Sequence, residues 1–244
     1  MAYILPFLSV ILGYAVAVFI KPSKRQNLKL LLAFSGSFLL SLTVMHLLPE
    51  VYEGATAHHH DHQGHEHGHN SPIGLFIMAG IIFQIILEYF SHGAEHGHVH
   101  GPGKHHDHSH DHYAPMPWLL FISLCIHALL EGMPVSHHND LAWGIAIHHF
   151  PIAIILTAFF INSGLGKTPI TLFMLAFSVM TPLGTLLSEN LHFIEDYFTE
   201  ISAVVVGILF HISSTIIFES AENHKFNLAK LLVIILGVIM AYFL

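Results

Sequence analysis

Long apolar runs separated by short polar stretches fill the chain from one end to the other. Each run is about 17 to 25 residues long, which is enough for a helix to cross a hydrocarbon layer about 30 Å thick. Eight runs lie near residues 3–20, 28–49, 72–91, 117–135, 141–161, 168–188, 200–218 and 227–244, and we number them segments 1 to 8. The runs lack the alternation of barrel strands, and a backbone in lipid must pair its polar groups internally. The pattern therefore predicts an all-α membrane protein, an eight-transmembrane-helix bundle.

The composition agrees with a membrane protein and draws attention to histidine. Of the 244 residues, 53% are hydrophobic and only 10% are charged, and the mean hydropathy is +0.62. Such a chain is too apolar for an ordinary soluble domain. The single cysteine, Cys125, excludes a disulfide framework and cysteine-based metal sites. Histidine is frequent, at 25 residues, and imidazole is the commonest metal ligand.

The basic residues predict the orientation of the segments. All eight lie in or beside the connections that follow segments 1, 3, 5 and 7: Lys21, Lys24, Arg25, Lys29, Lys104, Lys167, Lys225 and Lys230. The positive-inside rule makes these connections cytoplasmic and puts both termini outside. The opposite connections carry acidic residues without Lys or Arg. The outer face is therefore predicted either to concentrate cations or simply to reflect the positive-inside bias.

Two histidine-rich insertions divide the chain. Residues 1–57 hold segments 1 and 2, residues 58–71 an outer loop, residues 72–91 segment 3, residues 92–116 a cytoplasmic loop, and residues 117–244 segments 4 to 8. There are 7 histidines in 58–69 and 9 in 92–112. Flexible imidazole tracts bind zinc, nickel or copper without fixed geometry. We expect these tracts to be disordered without metal and to buffer, sense or collect it, or else to act as plain linkers.

Histidine and glutamate side chains inside apolar runs are the strongest candidates for a functional site, because ionisable residues cost about 2.5–3.5 kcal/mol each at membrane depth. His127 and Glu131 in segment 4 are four residues apart and share one helical face. At 1.5 Å per residue, His127 lies about 12 Å from the outer end of segment 4, and His148 about 10 Å from that of segment 5. An antiparallel pair would bring them to similar depth. We expect a metal site here, with a buried hydrogen-bonded network as the alternative.

Segment 5 contains two adjacent histidines. In a regular helix His148 and His149 point about 100° apart, so both cannot face one site. Pro151 loosens this constraint, because it removes the hydrogen bond back to Ile147 and can kink the helix. We expect His148 to face His127, with His149 acting as a second ligand or as a gate.

Two further histidines stand alone in their segments. His46 lies near the outer end of segment 2 in HLLPE, with Glu50 four residues later. It is predicted either to supply a ligand at the site or its entrance, or to reach water at the interface. His211 lies midway along segment 7 and is either a ligand or a packed polar residue. The Gly and Pro residues of TPLGT at 181–185 indicate helix packing rather than an ion site.

The motifs HLLPE, HALLEG and HHFP together resemble the ZIP (Zrt- and Irt-like) family of divalent-metal transporters. The resemblance extends over essentially the whole chain and includes eight helices, outer termini and a histidine-rich cytoplasmic loop between segments 3 and 4. The family pattern for helix 4 is commonly H-N-x-x-D/E-G. His127, Glu131 and Gly132 match it, with Ala128 in place of the asparagine.

The family pattern for helix 5 is commonly H-E/D-x-P-H/E-E/G. His148 and Pro151 match it in spacing, whereas His149 replaces an acid and Ile152 replaces a ligand. Family members often bind two ions, using the helix 4 asparagine and the helix 5 acids that are missing here. The resemblance therefore implies one nitrogen-rich site, to which these residues contribute: His127, Glu131 and His148, with His149, His46 and His211 as sources of further ligands.

The resemblance implies a transporter that moves zinc or a similar divalent ion toward the cytoplasm, with helices 1, 4, 5 and 6 moving against helices 2, 3, 7 and 8. Imidazoles with one carboxylate favour Zn, Fe, Ni, Cu or Co over Ca and Mg. No enzyme chemistry and no cofactor besides the transported ion is expected. The predicted location is the inner or plasma membrane, with metal ions and the lipid bilayer as partners, no nucleic acid, and homodimer formation left open.

Two alternatives use similar residues. A cation-diffusion exporter also has histidine-rich loops and His/Asp pairs, but normally has six helices and a soluble C-terminal domain. A multi-histidine membrane metalloenzyme would hold iron at the cytoplasmic surface in boxes of fixed spacing. Here the histidines in regular helices are predicted at depth in the outer half, which favours the transporter.

Overall fold

The computed structural model describes residues 1–20, 25–57, 72–91, 118–136, 139–219 and 228–244. Helices account for nearly all of these residues, and no strand occurs among them. The α-helices are α1 Ile4–Ile20, α2 Arg25–Leu42, α3 Leu48–Ala57, α4 Ile73–Ser91, α5 Trp118–Gly132, α6 Asn139–Asn162, α7 Lys167–Asn190, α8 His192–Asp196, α9 Phe198–Glu219 and α10 Leu228–Tyr242. Both histidine tracts lie outside the described residues, as do Lys21, Lys24, Lys104 and Lys225.

These helices confirm the all-α fold. Segment 2 forms one continuous helix, because a π-helical turn at Thr43–Leu47 joins α2 to α3. Among the described residues, five helices are long and apolar enough to cross a membrane: Leu28–Gly54, Trp118–Ser136, Leu141–Asn162, Lys167–Asn190 and Phe198–Phe218. Shorter apolar helices lie at Ile4–Ile20, Ile73–Tyr89 and Leu228–Tyr242. The count of eight spans and the outer position of the termini stay predictions.

Large apolar side chains cover the outer surfaces of several helices. Leu75 and Ile82 on α4 are 72% and 53% exposed, and Leu232 on α10 is 57% exposed. Water solvates such a surface poorly, whereas lipid chains solvate it well. The exposed faces therefore suit a bundle that is surrounded by lipid.

The helices pack as two groups. The most extensive pairings join α1 to α6, α4 to α9, α2 to α10 and α5 to α7. Further contacts link α7 with α1 and α6, and link α9 with α2 and α3. One group therefore contains α1, α5, α6 and α7, and the other contains α2, α3, α4, α9 and α10. The packing of α2 on α6 is the largest contact between the groups. In segment numbers this is the division that the family resemblance implied.

Two glycines let α5 and α7 touch through their backbones. A Cβ atom on Gly132 would lie 2.1 Å from the carbonyl oxygen of Thr181, and one on Gly184 would lie 2.0 Å from that of Leu129. The Thr185 hydroxyl donates a hydrogen bond to the Gly132 carbonyl at 2.9 Å. Close approach at small residues is a common way for helices to associate in membranes. The packing role predicted for TPLGT is confirmed by these contacts.

Candidate metal centre

Two helices bring four ionisable side chains together inside the bundle. α5 supplies His127 and Glu131, and α6 supplies His148 and His149. The exposed fraction is 6% for His127 and 1% for each of the other three. We refer to these four residues as the His–Glu cluster. The structure thus joins the candidates that the sequence picked out in segments 4 and 5, and their role as metal ligands stays a prediction.

The carboxylate of Glu131 lies at the centre of the cluster. Its Oε2 accepts a hydrogen bond from His149 Nε2 at 3.0 Å and lies 3.3 Å from His127 Nε2. Its Oε1 lies 4.0 Å from His148 Nε2. One ligand atom from each of His127, Glu131 and His148 falls within 4.8 Å of the others, so the three residues could hold a single ion. Zinc takes imidazole nitrogens and carboxylate oxygens as ligands in this way.

Three buried atoms of the cluster have no hydrogen-bond partner among the described residues: His127 Nδ1, Glu131 Oε1 and His149 Nδ1. Buried polar atoms in proteins are nearly always hydrogen-bonded. Each one left without a partner costs about 1–3 kcal/mol. The cluster is therefore incomplete as a hydrogen-bonded network, and a bound cation would use the free lone pairs of Glu131.

Both adjacent histidines reach the same carboxylate. α6 is helical through His148 and His149, with Pro151 inside the helix. We expect His149 to act as a second ligand or as a gate, despite the angle of about 100° between the two side chains in a regular helix. In the structure each ring lies nearest to a different oxygen of Glu131, with His149 Nε2 at 3.0 Å and His148 Nε2 at 4.0 Å, and the ring centroids lie 5.8 Å apart. The ring of Phe177 on α7 also packs against His149, edge to face at 5.6 Å, a contact that nothing in the sequence signalled.

A serine from the other group of helices touches the cluster. Ser35 on α2 is fully buried, and its Oγ lies 2.8 Å from His148 Nδ1. The same oxygen lies 3.4 Å from the backbone carbonyl oxygen of His148. The sequence reasoning missed this residue. Three serines at 35, 37 and 41 in a mostly apolar segment were the signal that could have found it.

His46 and Glu50 lie apart from the cluster. They line a cavity of about 270 Å³ whose wall includes Leu141 at the start of α6. Along α2 and α6, the way from this cavity to the cluster passes the buried apolar residues Leu39 and Ile145. The structure therefore does not bring His46 or Glu50 to Glu131. A role for them at an entrance stays a prediction.

The side chain of His46 is anchored to α10. It belongs to the π-helical turn at Thr43–Leu47, and its Nε2 donates a hydrogen bond to the Ala241 carbonyl at 3.0 Å. π-helical turns are rare and are found frequently at functional sites. The turn thus marks the C-terminal half of segment 2 as a place where the helix departs from regular geometry.

His211 lies outside the cluster and pairs with a residue that the sequence reasoning overlooked. Its Nε2 lies 2.8 Å from Oε2 of Glu88 on α4, and the two side chains are 20% and 22% exposed. Glu88 lies in segment 3, where the sequence analysis named no candidate residue. An acid inside the apolar run IIFQIILEYF was a visible signal. His211 is therefore placed in a polar contact between α4 and α9.

Comparisons with known proteins find zinc transporters. A family profile described as ZIP Zinc transporter matches residues 1–117. The zinc transporter SLC39A7 of Mus musculus is 33% identical over 84 residues, which cover 32% of this chain and 18% of the relative. The human SLC39A7 is 33% identical over 82 residues. The zinc transporter ZIP1 of Danio rerio is 24% identical over 185 residues, which cover 62% of this chain and 60% of the relative.

The fold and the His–Glu cluster define a multi-pass helical membrane protein with a buried group of side chains that could hold a metal ion. The resemblance to the ZIP family is confirmed, because the family profile matches residues 1–117 and the chain is similar to the zinc transporters SLC39A7 and ZIP1. The matched range 1–117 ends before the cluster, so the match does not depend on the motifs of segments 4 and 5. The alignments to SLC39A7 span less than a fifth of those relatives, at 18% of their length.

Proposed function

We propose that this chain is a secondary transporter that carries zinc, or a similar divalent transition-metal ion, across the membrane toward the cytoplasm. The ion would bind at His127, Glu131 and His148, with His149 as a further ligand. The metal is the cargo, and the proposal requires no enzyme chemistry and no resident cofactor. The names of the relatives, zinc transporters SLC39A7 and ZIP1, support zinc as the cargo.

The environment of Glu131 is the observation that carries the proposal. Its side chain is fully buried, its neighbours are three imidazoles, and one of its oxygens has no hydrogen-bond partner in the part of the chain that the structure describes. Taking a carboxylate out of water costs several kcal/mol unless a charge and hydrogen bonds compensate it. A divalent cation offsets that cost and takes up the free lone pair. A cluster that served packing alone would be expected to satisfy these atoms.

The donor set supports a transition metal over the alkaline-earth ions. Three imidazole nitrogens and one carboxylate suit Zn, Fe, Ni, Cu or Co. Calcium prefers six to eight oxygen ligands, and magnesium keeps several waters in an octahedral shell. Neither preference is met by a buried site with one carboxylate and three nitrogens.

The two groups of helices support a mechanism of alternating access. All four cluster residues belong to the group of α1, α5, α6 and α7, so the ion would travel with that group while the other stays in place. The proposal assumes eight membrane-spanning segments with both termini outside. In this topology the cavity beside His46 and Glu50 faces the outside, and the apolar residues Leu39 and Ile145 separate it from the cluster.

The histidines outside the cluster receive lesser roles in this proposal. His46 and Glu50 would attract the ion at the outer entrance. His211 would stabilise the packing of α4 on α9 through Glu88. The tracts at 58–69 and 92–112 would collect, buffer or sense metal on either side of an inner or plasma membrane. A homodimer is compatible with this arrangement but is not required for it.

Metal uptake into proteoliposomes tests the proposal. The purified full-length chain would be reconstituted, and uptake of Zn, Fe, Mn, Ni and Cu would be compared with that of protein-free vesicles. We expect zinc uptake that saturates with concentration and that depends on Glu131. Vesicles that accumulate none of these ions above the protein-free level would overturn the proposal.

A further inference from the structure

One polar contact joins the two groups of helices at the His–Glu cluster. The cluster residues lie on α5 and α6, whereas Ser35 lies on α2 in the other group. Its Oγ is 2.8 Å from His148 Nδ1, and its exposed fraction is 0%. The contact is therefore shielded from water and lies on the side of the imidazole ring that faces away from Glu131.

The hydrogen-bonding capacity of a serine hydroxyl suits one particular form of His148. If Nδ1 carries the ring hydrogen, it donates to Ser35 Oγ, and the hydroxyl can donate in turn to the His148 carbonyl oxygen at 3.4 Å. Nε2 then keeps its lone pair, and Nε2 is the atom that lies 4.0 Å from Glu131 Oε1. In the opposite form Nε2 carries the hydrogen and cannot bind a cation. Histidines that ligate metals almost always donate a hydrogen bond through their other nitrogen.

We propose that Ser35 is a positioning residue for the metal site: it accepts a hydrogen bond from His148 Nδ1–H and thereby directs the lone pair of Nε2 to the ion. The inference rests on the proposed function, because it assumes that an ion binds beside Glu131. α2 and α6 belong to different groups, so a shift of one group against the other would remove this hydrogen bond. The serine thus ties the affinity of the site to the relative position of the two groups.

Zinc titrations of the full-length chain test this proposal, with Ser41 as a matched control. Ser41 is also a buried serine of α2, at 8% exposure, but its hydroxyl donates to the Ser37 carbonyl within the same helix at 2.8 Å. The melting temperature would be measured against zinc concentration for the parent, Ser35→Ala, Ser35→Cys, Ser35→Thr and Ser41→Ala. Zinc that stabilises the fold reports on the buried site, because ligands raise stability only when they prefer the folded state.

Loss of the Ser35 hydroxyl should weaken zinc binding by about 10–100-fold, which is the usual effect of removing an outer-shell partner. Ser35→Cys fills the same space with a poor acceptor and should resemble Ser35→Ala. Ser35→Thr keeps the hydroxyl and should restore affinity, and Ser41→Ala should bind like the parent. In proteoliposomes, Ser35→Ala should raise the zinc concentration that half-saturates uptake. These variants separate hydrogen bonding from the space that the side chain fills.

Several results would overturn the role of Ser35. Equal zinc affinity for the parent and both hydroxyl-free variants would remove it while leaving the proposed function in place. A lower melting temperature without zinc, combined with unchanged zinc affinity, would reduce Ser35 to a packing residue. A parent whose melting temperature does not respond to zinc would instead contradict the metal site itself, and with it this inference.

Discussion

The His–Glu cluster and the His211–Glu88 pair both join imidazole to carboxylate among apolar helices. Glu88 has a close contact with one imidazole, and both partners remain about one fifth exposed, at 20% and 22%. Glu131 is fully buried among three imidazoles, and one of its oxygens has no hydrogen-bond partner within the described ranges. Convergence of several ligands on one buried carboxylate distinguishes a candidate ion site from a polar contact between helices. Variants of the His211–Glu88 pair therefore serve as controls for the corresponding variants of the His–Glu cluster.

The largest difference should appear between Glu131→Gln and Glu88→Gln. Glutamine keeps the size of the side chain but removes the charge that would balance a divalent ion. We expect Glu131→Gln to lose zinc uptake in proteoliposomes, because the cargo no longer has a compensating carboxylate. Glu88→Gln should retain most of the uptake of the parent, since Glu88 lies outside the His–Glu cluster. Equal losses in the two variants would contradict the distinction between the sites.

Alanine variants of the histidines should show the same difference between the two sites, with smaller effects than the glutamate variants. Replacing His127 or His148 by alanine should weaken zinc binding by more than the roughly 10–100-fold typical of an outer-shell partner. His149→Ala should be milder, because His149 is not one of the three residues whose ligand atoms cluster within 4.8 Å. His211→Ala is the control and should bind zinc like the parent. Affinities measured by competition with a zinc indicator would check this order. An effect of His211→Ala as large as that of His127→Ala would contradict it.

Acidification should weaken zinc binding at the cluster. Imidazole must be neutral to bind a metal, so protons and zinc compete for the same nitrogens. We expect the affinity to fall as the pH drops from mildly alkaline to mildly acidic values, and to fall in the same way in His211→Ala. Titrations at a series of pH values would measure this. An affinity that does not change over that range would mean that Glu131, rather than the imidazoles, holds the ion.

The smallest effect is expected from deleting the histidine tract at 92–112. None of the four cluster residues lies in this tract, so the deletion should alter metal sensing or release and leave transport present. Uptake by the deletion variant would be compared with that of the parent after correct insertion has been verified. Complete loss of uptake in an inserted variant would make the tract part of the transport path.

The helical fold and the core of the candidate site could be predicted from the sequence, because both depend on short-range patterns. Long apolar runs define the helices, and the spacing of His127 and Glu131 places them on one helical face. Depth counted along two segments was enough to expect His148 nearby. The position of His149 was harder to predict, since it depends on His148 and His149 lying beside different oxygens of the Glu131 carboxylate.

Contacts between distant segments could not be read from the sequence. Ser35 and His148 are 113 residues apart, and Glu88 and His211 are 123 residues apart. Local spacing gives no information on which faces of such helices meet. Polar residues in apolar segments do indicate that a partner exists, which is why the serines of segment 2 and Glu88 were signals. Their partners became known only from the packing of the two groups.

Zinc-dependent thermal stability of the full-length chain tests the central claim most directly. A metal site at the cluster predicts that zinc raises the melting temperature of the parent and of Glu88→Gln. At zinc concentrations 100 times the Kd, the free energy of unfolding should increase by about 2.7 kcal/mol. Glu131→Gln and His127→Ala should remain folded without zinc and show no such shift. A hydrogen-bonded network without metal predicts the reverse: an unshifted parent, and variants destabilised by about 3–5 kcal/mol in the absence of zinc because a buried partner has been removed. A parent that does not respond to zinc would contradict the account.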